Sequence, residues 1–316
     1  MTWLRTLGSS DLRVSALCLG GNVFGWTADE EQSFAVLDAY AAAGGNFVDT
    51  ADSYMYHFSG NEPGQSERTI GRWLAAQGNR DEVVVATKVG DHPQYKGLAP
   101  ANIKAAAEES LRRLGTDRID LYYTHFDDES VPVEDIITAL DDLVQAGKVR
   151  AIAASNISPA RLSASLAFSD REGKARYVAL QPPYNLVSRD TYEGERQEIV
   201  EREGLACVPY FALASGFLTG KYRPGTTVGS VRDMPGLAGG YVDTPRGLDV
   251  LKALDQVATA RGTQPATVAL AWLAQQPTVV APIASARSVE QLTALVALQD
   301  LHLSEAELQT LTAASA

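Results

Sequence analysis

Four side chains able to carry acid–base chemistry follow three short apolar segments of the chain. Asp49, Lys88 and His125 each end one of these segments. Tyr54 follows Asp49 by five residues, within a polar stretch. A carboxylate, an ammonium, an imidazole and a phenol can together transfer a proton and hold a developing charge in place. The four residue types therefore favour a site for acid–base catalysis, provided that the fold brings them together.

The segments that precede these residues have the composition of buried strands. Asn46–Val48 follows a pair of glycines that ends a helical pattern, and Val83–Thr87 and Ile119–Thr124 are apolar runs of strand length. The carboxyl ends of parallel barrel strands meet on one face, where enzymes of this architecture carry their active sites. We therefore expect Asp49, Lys88 and His125 on one rim, with Tyr54 on a loop above them.

The same strand–helix alternation continues along the whole chain. Eight strands are predicted, at Val14–Leu19, Asn46–Asp49, Val83–Lys88, Ile119–His125, Val149–Ser155, Tyr177–Gln181, Ala206–Tyr210 and Thr278–Ile283. Helices are predicted at Asp29–Ala43, Glu67–Ala76, Ala101–Leu114, Val133–Ala146, Ser158–Phe168, near Gln197–Glu203, and at Leu248–Arg261, Pro265–Gln275 and Val289–Ala297. Alternating strands and helices of this number predict an α/β protein, a (β/α)8 TIM barrel forming one domain over residues 1–316.

Three additions to the barrel are expected. Leu4–Leu12 reads as an N-terminal β-hairpin, and Ser304–Ala313 opens with a capping box and predicts an extra C-terminal helix. The stretches Tyr54–Gln65 and Phe211–Arg246 are too long to be simple connectors. Both follow strands at the same end of the barrel, so we expect them to form a substrate pocket at its C-terminal mouth.

Composition excludes several classes of partner. The formal charge of −12 argues against a nucleic-acid surface, which needs clustered Lys and Arg. No apolar run is long enough to cross a membrane, and the N-terminus lacks the apolar core of a signal peptide, so we expect a cytoplasmic protein. Cys18 and Cys207 lie in apolar runs and are expected to be buried, reduced thiols. The four histidines lack metal-ligand spacing, and no metal site is expected. The sequence predicts no particular oligomeric state.

Seven collinear segments resemble the motifs of the aldo-keto reductases, and together they cover essentially the whole chain. They are Asp49–Tyr54, Ala86–Lys88, Tyr122–His125, Ala154–Asn156, Gln181–Asn185, Tyr210–Tyr222 and Ser285–Leu292. The resemblance implies NADPH (NADP+) as cofactor and a small-molecule carbonyl or alcohol as substrate. It also implies that Asp49, Tyr54, Lys88 and His125 form the catalytic tetrad.

The chemistry of the tetrad can be worked out from its residue types. A free phenol titrates near ~10, and a nearby ammonium favours the phenolate and lowers that value. We therefore expect Lys88 to lower the pKa of Tyr54, which would act as general acid, while Asp49 holds Lys88 in place. His125 would orient the carbonyl oxygen. The hydride must come from a cofactor, because no side chain can supply it.

The resemblance also assigns residues to the cofactor and to the substrate. Ser155, Asn156 and Gln181 would hold the carboxamide, Tyr210 would stack on the nicotinamide, and Arg287 would bind the 2′-phosphate. The complete cofactor set is Gly21, Asn22, Asp49, Ser155, Asn156, Gln181, Tyr210, Phe211, Leu213, Ser215, Gly216, Lys221, Ser285, Arg287 and Gln291. The substrate pocket would be lined by Phe24, Trp26, Tyr56, His57 and Phe126. Such a pocket suits aromatic aldehydes, ketones or sugars alike. Ala294 and Leu295 depart from the family, which often has an acidic residue and an asparagine against adenine at these positions.

Other interpretations of these residues stay open. An Asp–Lys pair across strands is often structural, a tyrosine in a loop is often a packing residue, and His125 could be a hydrogen-bonded core histidine. Some proteins of the same fold bind NADP as regulatory subunits with little turnover. A lysine at a barrel strand end could instead form a Schiff base, as in an aldolase. Oxidation of NADPH by aldehydes separates a carbonyl reductase from a regulatory subunit. Borohydride trapping of a substrate on Lys88 tests for the aldolase.

Overall fold

The computed structural model describes residues 3–57, 61–226, 228–229 and 238–316. Its strands, numbered in chain order, are β1 Leu4–Thr6, β2 Arg13–Ser15, β3 Cys18–Gly20, β4 Phe47–Asp49, β5 Val84–Val89, β6 Asp91–His92, β7 Tyr95–Lys96, β8 Ile119–Thr124, β9 Val149–Ser155, β10 Tyr177–Gln181, β11 Ala206–Cys207 and β12 Ile283–Ala284. Eight of them form one parallel sheet in the order β11-β10-β9-β8-β5-β4-β3-β12.

The two edges of this sheet approach each other. Cys207 of β11 forms a parallel bridge with Val279, just before β12, and the amide of Val280 donates to the carbonyl of Cys207 at 2.9 Å. The amide of Ile283 donates to the carbonyl of Pro209, also at 2.9 Å. The curled eight-stranded parallel sheet has the arrangement of a TIM barrel.

Helices cover the outside of the sheet. They are α1 Glu30–Ala42, α2 Gln65–Gln77, α3 Pro100–Leu114, α4 Val133–Gln145, α5 Pro159–Glu172, α6 Glu195–Arg202, α7 Pro245–Arg261, α8 Pro265–Ala274, α9 Val289–Val296 and α10 Glu305–Ala314. α10 is the predicted extra helix, and its capping box joins Ser304 and Glu307 as the sequence pattern indicates. Within the described ranges, no helix is long and apolar enough to cross a membrane.

The predicted N-terminal hairpin is present, with one correction. β2 pairs antiparallel with β1, so Val14 belongs to the hairpin and the first strand of the large sheet begins only at Cys18. Leu7, Leu12 and Val14 pack on the inward-facing residues of the sheet, Phe47 among them. The hairpin therefore fills the end of the sheet opposite the tetrad and buries apolar surface that would otherwise face water.

The predicted seventh and eighth strands are shorter than expected. β11 ends at Cys207 rather than at Tyr210, and β12 covers only Ile283–Ala284. Pro209 and Pro282 lie within the predicted spans, and a proline has no amide hydrogen to donate to a sheet. The long stretch predicted as a loop after Phe211 also ends earlier, because Thr244 caps α7. Residues 58–60, 227 and 230–237 of the two long loops lie outside the described residues.

Candidate active site

Strand periodicity directs three of the four predicted catalytic residues to one side of the sheet. Successive side chains of a strand alternate between faces. In β5, Val84 and Ala86 pack in the inner cluster, whereas Val85 and Val89 pack against the helices. Lys88 has the register of Ala86 and so points inward. The same alternation places Asp49 with Phe47, and places His125 with Tyr123.

Lys88, Asp49 and Tyr54 form a compact hydrogen-bonded group. The Nζ of Lys88 lies 2.7 Å from each Asp49 carboxylate oxygen and 2.6 Å from the Tyr54 hydroxyl, to which it donates. Tyr54 in turn donates to Asp49 Oδ2 at 2.5 Å. Lys88 is 0% exposed and Asp49 is 1% exposed, so both charges are held away from water. Charge-assisted hydrogen bonds of this kind are stronger than neutral ones and fix the geometry.

The pKa of Tyr54 is shifted in the opposite direction to the one expected from the sequence. Burial raises the pKa of Tyr54 well above its ordinary value, and the charge and hydrogen bond of Asp49 raise it further. The carboxylate accepts the phenol proton and so opposes its loss. Lys88 was expected to lower the pKa of Tyr54. Burial lowers the pKa of Lys88 itself, although the negative charge of Asp49 opposes that shift. Tyr54 therefore keeps its proton in this structure.

His125 lies beside this group as a neutral imidazole. Its ring centroid is 6.0 Å from that of Tyr54 in an edge-on arrangement, and it stacks on Phe126 at 4.6 Å. Burial lowers the pKa of His125 well below its ordinary value, and the positive charge of Lys88 lowers it further. Its buried Nδ1 has no hydrogen-bond partner in the described part of the chain. A neutral imidazole at this position can donate to or accept from an oxygen atom placed above Tyr54.

The residues predicted to hold the carboxamide are connected to the same group. Gln181 donates from Nε2 to Asp49 Oδ1 at 2.9 Å, and the Ser155 hydroxyl donates to the carbonyl of Gln181 at 2.8 Å. Asn156 donates to the carbonyl of His125 at 2.8 Å and accepts from the Tyr210 hydroxyl at 2.8 Å. The ends of β9 and β10 thus adjoin the tetrad, as predicted.

The loop after β11 has an unusual backbone. Phe211, Ala214 and Ser215 have φ values of 55°, 47° and 57°, and Gly216 follows at 101°. Residues in the left-handed region turn consecutive amides toward one side, which is typical of concave anion sites. The Lys221 side chain lies over Gly216, near the ring of Tyr222. Phe211 is 51% exposed, whereas Leu213 and Ser215 are half-buried.

The remaining predicted cofactor residues lie after β3 and β12. The Ser285 hydroxyl donates to Asn22 at 2.5 Å, which joins the two loops, and the amide of Arg287 donates to Gln291 at 3.0 Å. Arg287 and Gln291 are exposed. Gly21 lies where a Cβ would meet Ser66 Oγ at 2.8 Å, so the close approach of these elements requires a glycine. Ala294 and Leu295 are buried against the core, so their side chains present no surface to a ligand.

The predicted substrate-pocket residues divide into two groups. Trp26 and Tyr56 are half-buried, and Phe126 is 46% exposed. His57 is exposed, with its ring 3.7 Å from that of Tyr56 between centroids. Phe24 corrects the prediction, because it is 2% exposed and belongs to the core between sheet and helices. A turn from Gly21 to Ala28 folds this phenyl ring inward, and the sequence carries no periodic signal for that turn.

Several buried polar groups near the site carry no signal in the sequence. The carbonyl of Thr50 accepts from Lys88 Nζ at 2.7 Å, and a main-chain acceptor leaves no trace in residue type. Asp52 is fully buried, and neither carboxylate oxygen has a partner in the described ranges. Beside it, Glu67 accepts from Thr87 at 2.6 Å and from Arg113 at 2.5 Å. Cys18 and Cys207 are buried free thiols, as predicted. No group of three or more metal-ligating side chains occurs in the described chain.

Comparison with known proteins identifies the family of this chain. The family model described as the Aldo/keto reductase family matches residues 16–316. The chain belongs to this family of oxidoreductases. The curled eight-stranded parallel sheet and the helices that cover it are consistent with the (β/α)8 barrel of this family.

Relatives of this chain come from fungi and bacteria. Norsolorinic acid reductase B of Dothistroma septosporum is 31% identical, over 97% of this chain and 79% of the relative. Protein tas of Escherichia coli is also 31% identical, over 94% of this chain and 92% of the relative. The aryl-alcohol dehydrogenase [NADP(+)] of Phanerodontia chrysosporium is 33% identical, over 95% and 82% respectively.

Proposed function

We propose that this protein is an NADPH-dependent oxidoreductase that reversibly reduces an aldehyde or ketone to the alcohol, on a single (β/α)8 barrel domain spanning residues 1–316. The observation that carries the proposal is the buried hydrogen-bonded group of Lys88, Asp49 and Tyr54, with neutral His125 at its side. Tyr54 is the general acid, and His125 orients the carbonyl oxygen. Bound NADPH supplies the hydride.

The raised pKa of Tyr54 is compatible with this role. A phenol that keeps its proton is always in the form needed to protonate a carbonyl oxygen that gains negative charge. The Lys88 ammonium donates to the Tyr54 oxygen and stabilises the phenolate left behind, while Asp49 keeps that ammonium oriented. These contacts also argue against a Schiff-base function, because Lys88 Nζ is fully engaged by Asp49, Thr50 and Tyr54.

The residues around the tetrad fit a nicotinamide dinucleotide. Asn156 and Gln181 present amides beside the tetrad, and the aromatic ring of Tyr210 is next to them. The left-handed backbone at Ala214–Gly216, with Lys221 over it, suits a pyrophosphate. The exposed guanidinium of Arg287 suits the 2′-phosphate of NADPH.

The substrate class we propose is aromatic carbonyl compounds. The ring of Phe126 stacks on His125 and is partly exposed. The loops at the same end of the sheet contribute the half-buried rings of Trp26 and Tyr56. One relative is named an aryl-alcohol dehydrogenase, and another is named for the reduction of norsolorinic acid. Aromatic rings in a pocket gain from stacking on aromatic side chains.

The test is a panel of aromatic, aliphatic and sugar aldehydes, with the oxidation of NADPH followed by absorbance. We expect turnover with aromatic aldehydes, and a loss of at least about 100-fold in Tyr54→Phe, the usual magnitude for a general acid. Tyr95→Phe is the matched control, because Tyr95 lies in the small hairpin after β5 and packs on His92. NADPH binding by fluorescence should persist in both variants.

Two outcomes would contradict the proposal. If Tyr54→Phe keeps near-wild-type turnover, the acid role belongs to His125. If NADPH binds tightly and no carbonyl compound of the panel is reduced, the protein is an NADP-binding regulatory subunit of the same fold.

A further inference from the structure

A small cavity lies beside the predicted nicotinamide end of the site. It has a volume of about 170 Å³ and opens between the ends of β9 and β10. Its lining includes Asn156, Leu180, Pro182, Thr191 and Arg196. Four of the seven lining residues are apolar, and Arg196 is the charged residue among them.

Arg196 has no acidic partner among the residues that the structure describes. There, its one hydrogen bond runs from NH1 to the carbonyl of Thr191 at 3.2 Å, and no carboxylate lies within ion-pair distance. Glu193, three residues earlier, is already occupied. It accepts from Arg189 through both oxygens, at 2.7 and 2.8 Å, and from the Tyr184 hydroxyl at 2.8 Å.

The other polar groups of the lining are satisfied within the protein. The Thr191 hydroxyl donates to the carbonyls of Pro183 and Ser188. The amide of Asn156 donates to His125 and Ser155, and its oxygen accepts from Tyr210. A guanidinium has five N–H donors, and within the described chain Arg196 uses one of them. The cavity therefore combines unused donors and a positive charge with an apolar wall.

The position of the cavity connects it to the chemistry. Asn156 belongs both to the cavity lining and to the group that joins His125 and Tyr210. The positive charge of Arg196 reaches Tyr210, where it partly offsets the rise in pKa that burial causes. A ligand bound at Arg196 would lie next to the residues that we assign to the nicotinamide.

We propose that this cavity binds a small oxyanion, a carboxylate or a phosphate, paired with the guanidinium of Arg196. Planar guanidinium groups pair with such anions through two parallel hydrogen bonds. The volume suits a free anion or one acidic substituent of a larger molecule. The anion therefore has two sources with the same chemistry, an acidic group on the carbonyl substrate or a free anion from solution. The first source rests on the proposed function, and the second does not.

The free-anion arm uses thermal unfolding at constant ionic strength, with chloride replaced by acetate or phosphate. We expect a saturable rise in Tm for the wild type, no rise for Arg196→Gln, and a smaller rise for Arg196→Lys. Arg202→Gln is the matched control, because Arg202 lies on the same helix and pairs with Glu203. It should respond like the wild type.

The substrate arm compares 3- and 4-carboxybenzaldehyde with their methyl esters as substrates. We expect Arg196→Gln to raise KM for the acids about 10- to 100-fold, the effect of one lost charged hydrogen-bonded pair. KM and kcat for the esters should not change. A Tm response without a KM effect assigns the cavity to a free anion, and a KM effect assigns it to the substrate.

The proposal is overturned if neither acetate nor phosphate raises Tm specifically and the acids and esters respond equally to Arg196→Gln. Failure of the proposed function is a separate result. In that case neither acids nor esters are reduced by the wild type, and the anion titration still decides whether Arg196 binds an oxyanion.

Discussion

The buried pair of Lys88 and Asp49 allows a strong test of how the site is held together. Lys88→Met keeps a similar volume and removes the charge. In the wild type, Lys88 Nζ is 2.7 Å from both oxygens of Asp49, and both residues are at most 1% exposed. The variant leaves Asp49 with hydrogen bonds from Tyr54 and Gln181 and no cation. Breaking one side of a buried pair costs about 3–5 kcal/mol, because the other charge stays buried and uncompensated.

The double variant Asp49→Asn/Lys88→Met separates charge from packing. It removes both charges, and the asparagine can accept from Gln181 through its amide oxygen and donate to the Tyr54 hydroxyl through its NH2 group. Replacing a whole buried pair is often nearly neutral. We therefore expect the double variant to be more stable than Lys88→Met alone. Asp49→Asn alone should cost less than Lys88→Met, because burial already lowers the pKa of Lys88 and favours the neutral amine once Asp49 is uncharged.

The assay is urea denaturation at pH 7, followed by circular dichroism, with the free energy of unfolding taken from linear extrapolation. Lys104→Met is the matched control, because Lys104 pairs with Asp142 at 2.7 Å on the surface and both side chains are 48% exposed. Exposed pairs contribute about 0–1 kcal/mol. A loss below about 1 kcal/mol in Lys88→Met, or strictly additive losses in the double variant, would refute the argument.

Three further predictions concern residues outside this pair. Arg287→Ala should weaken NADPH binding by about 1.5–3 kcal/mol and leave NADH unchanged, as measured by fluorescence titration of both cofactors; equal losses would exclude a role at the 2′-phosphate. Burial raises the pKa of Asp52, and the charge of Glu67 raises it further. The free energy of unfolding therefore falls as pH rises above the pKa of an aspartate in the unfolded chain, about 3.9. Asp52→Asn should therefore raise Tm at pH 7 but not at pH 3, and an equal Tm shift at both pH values would contradict this. The hydrogen bond from Arg261 lowers the pKa of Glu307 to about 2. The ionised Glu307 therefore stabilises the fold above its ordinary pKa near 4.5, and this stabilisation is lost as pH falls toward 2. Glu307→Gln should flatten that part of the Tm-versus-pH curve, and an unchanged slope would show that the pair adds no stability.

The sequence alone determined the fold class and the position of the tetrad. Asp49, Lys88 and His125 each end an apolar segment, and a parallel barrel brings the carboxyl ends of its strands to one rim. Inner and outer positions alternate along each strand, so Lys88 had to share the inner side with Ala86. Both rules depend only on the order of apolar and polar residues along each strand, which can be read from a single sequence.

The tertiary structure decided how deeply each of these groups is buried and which groups it pairs with. Tyr54 has a raised rather than a lowered pKa because the Asp49 carboxylate accepts its proton, and Phe24 is a core residue because a turn without periodic signal folds it inward. Among the described residues Arg196 has no acidic partner, and the nearby carboxylate of Glu193 is occupied by Arg189 and Tyr184. Desolvation and pairing depend on which groups approach from distant parts of the chain and at what distance. The order of residues along the chain does not encode those distances locally, so they arise only when the barrel closes around the site.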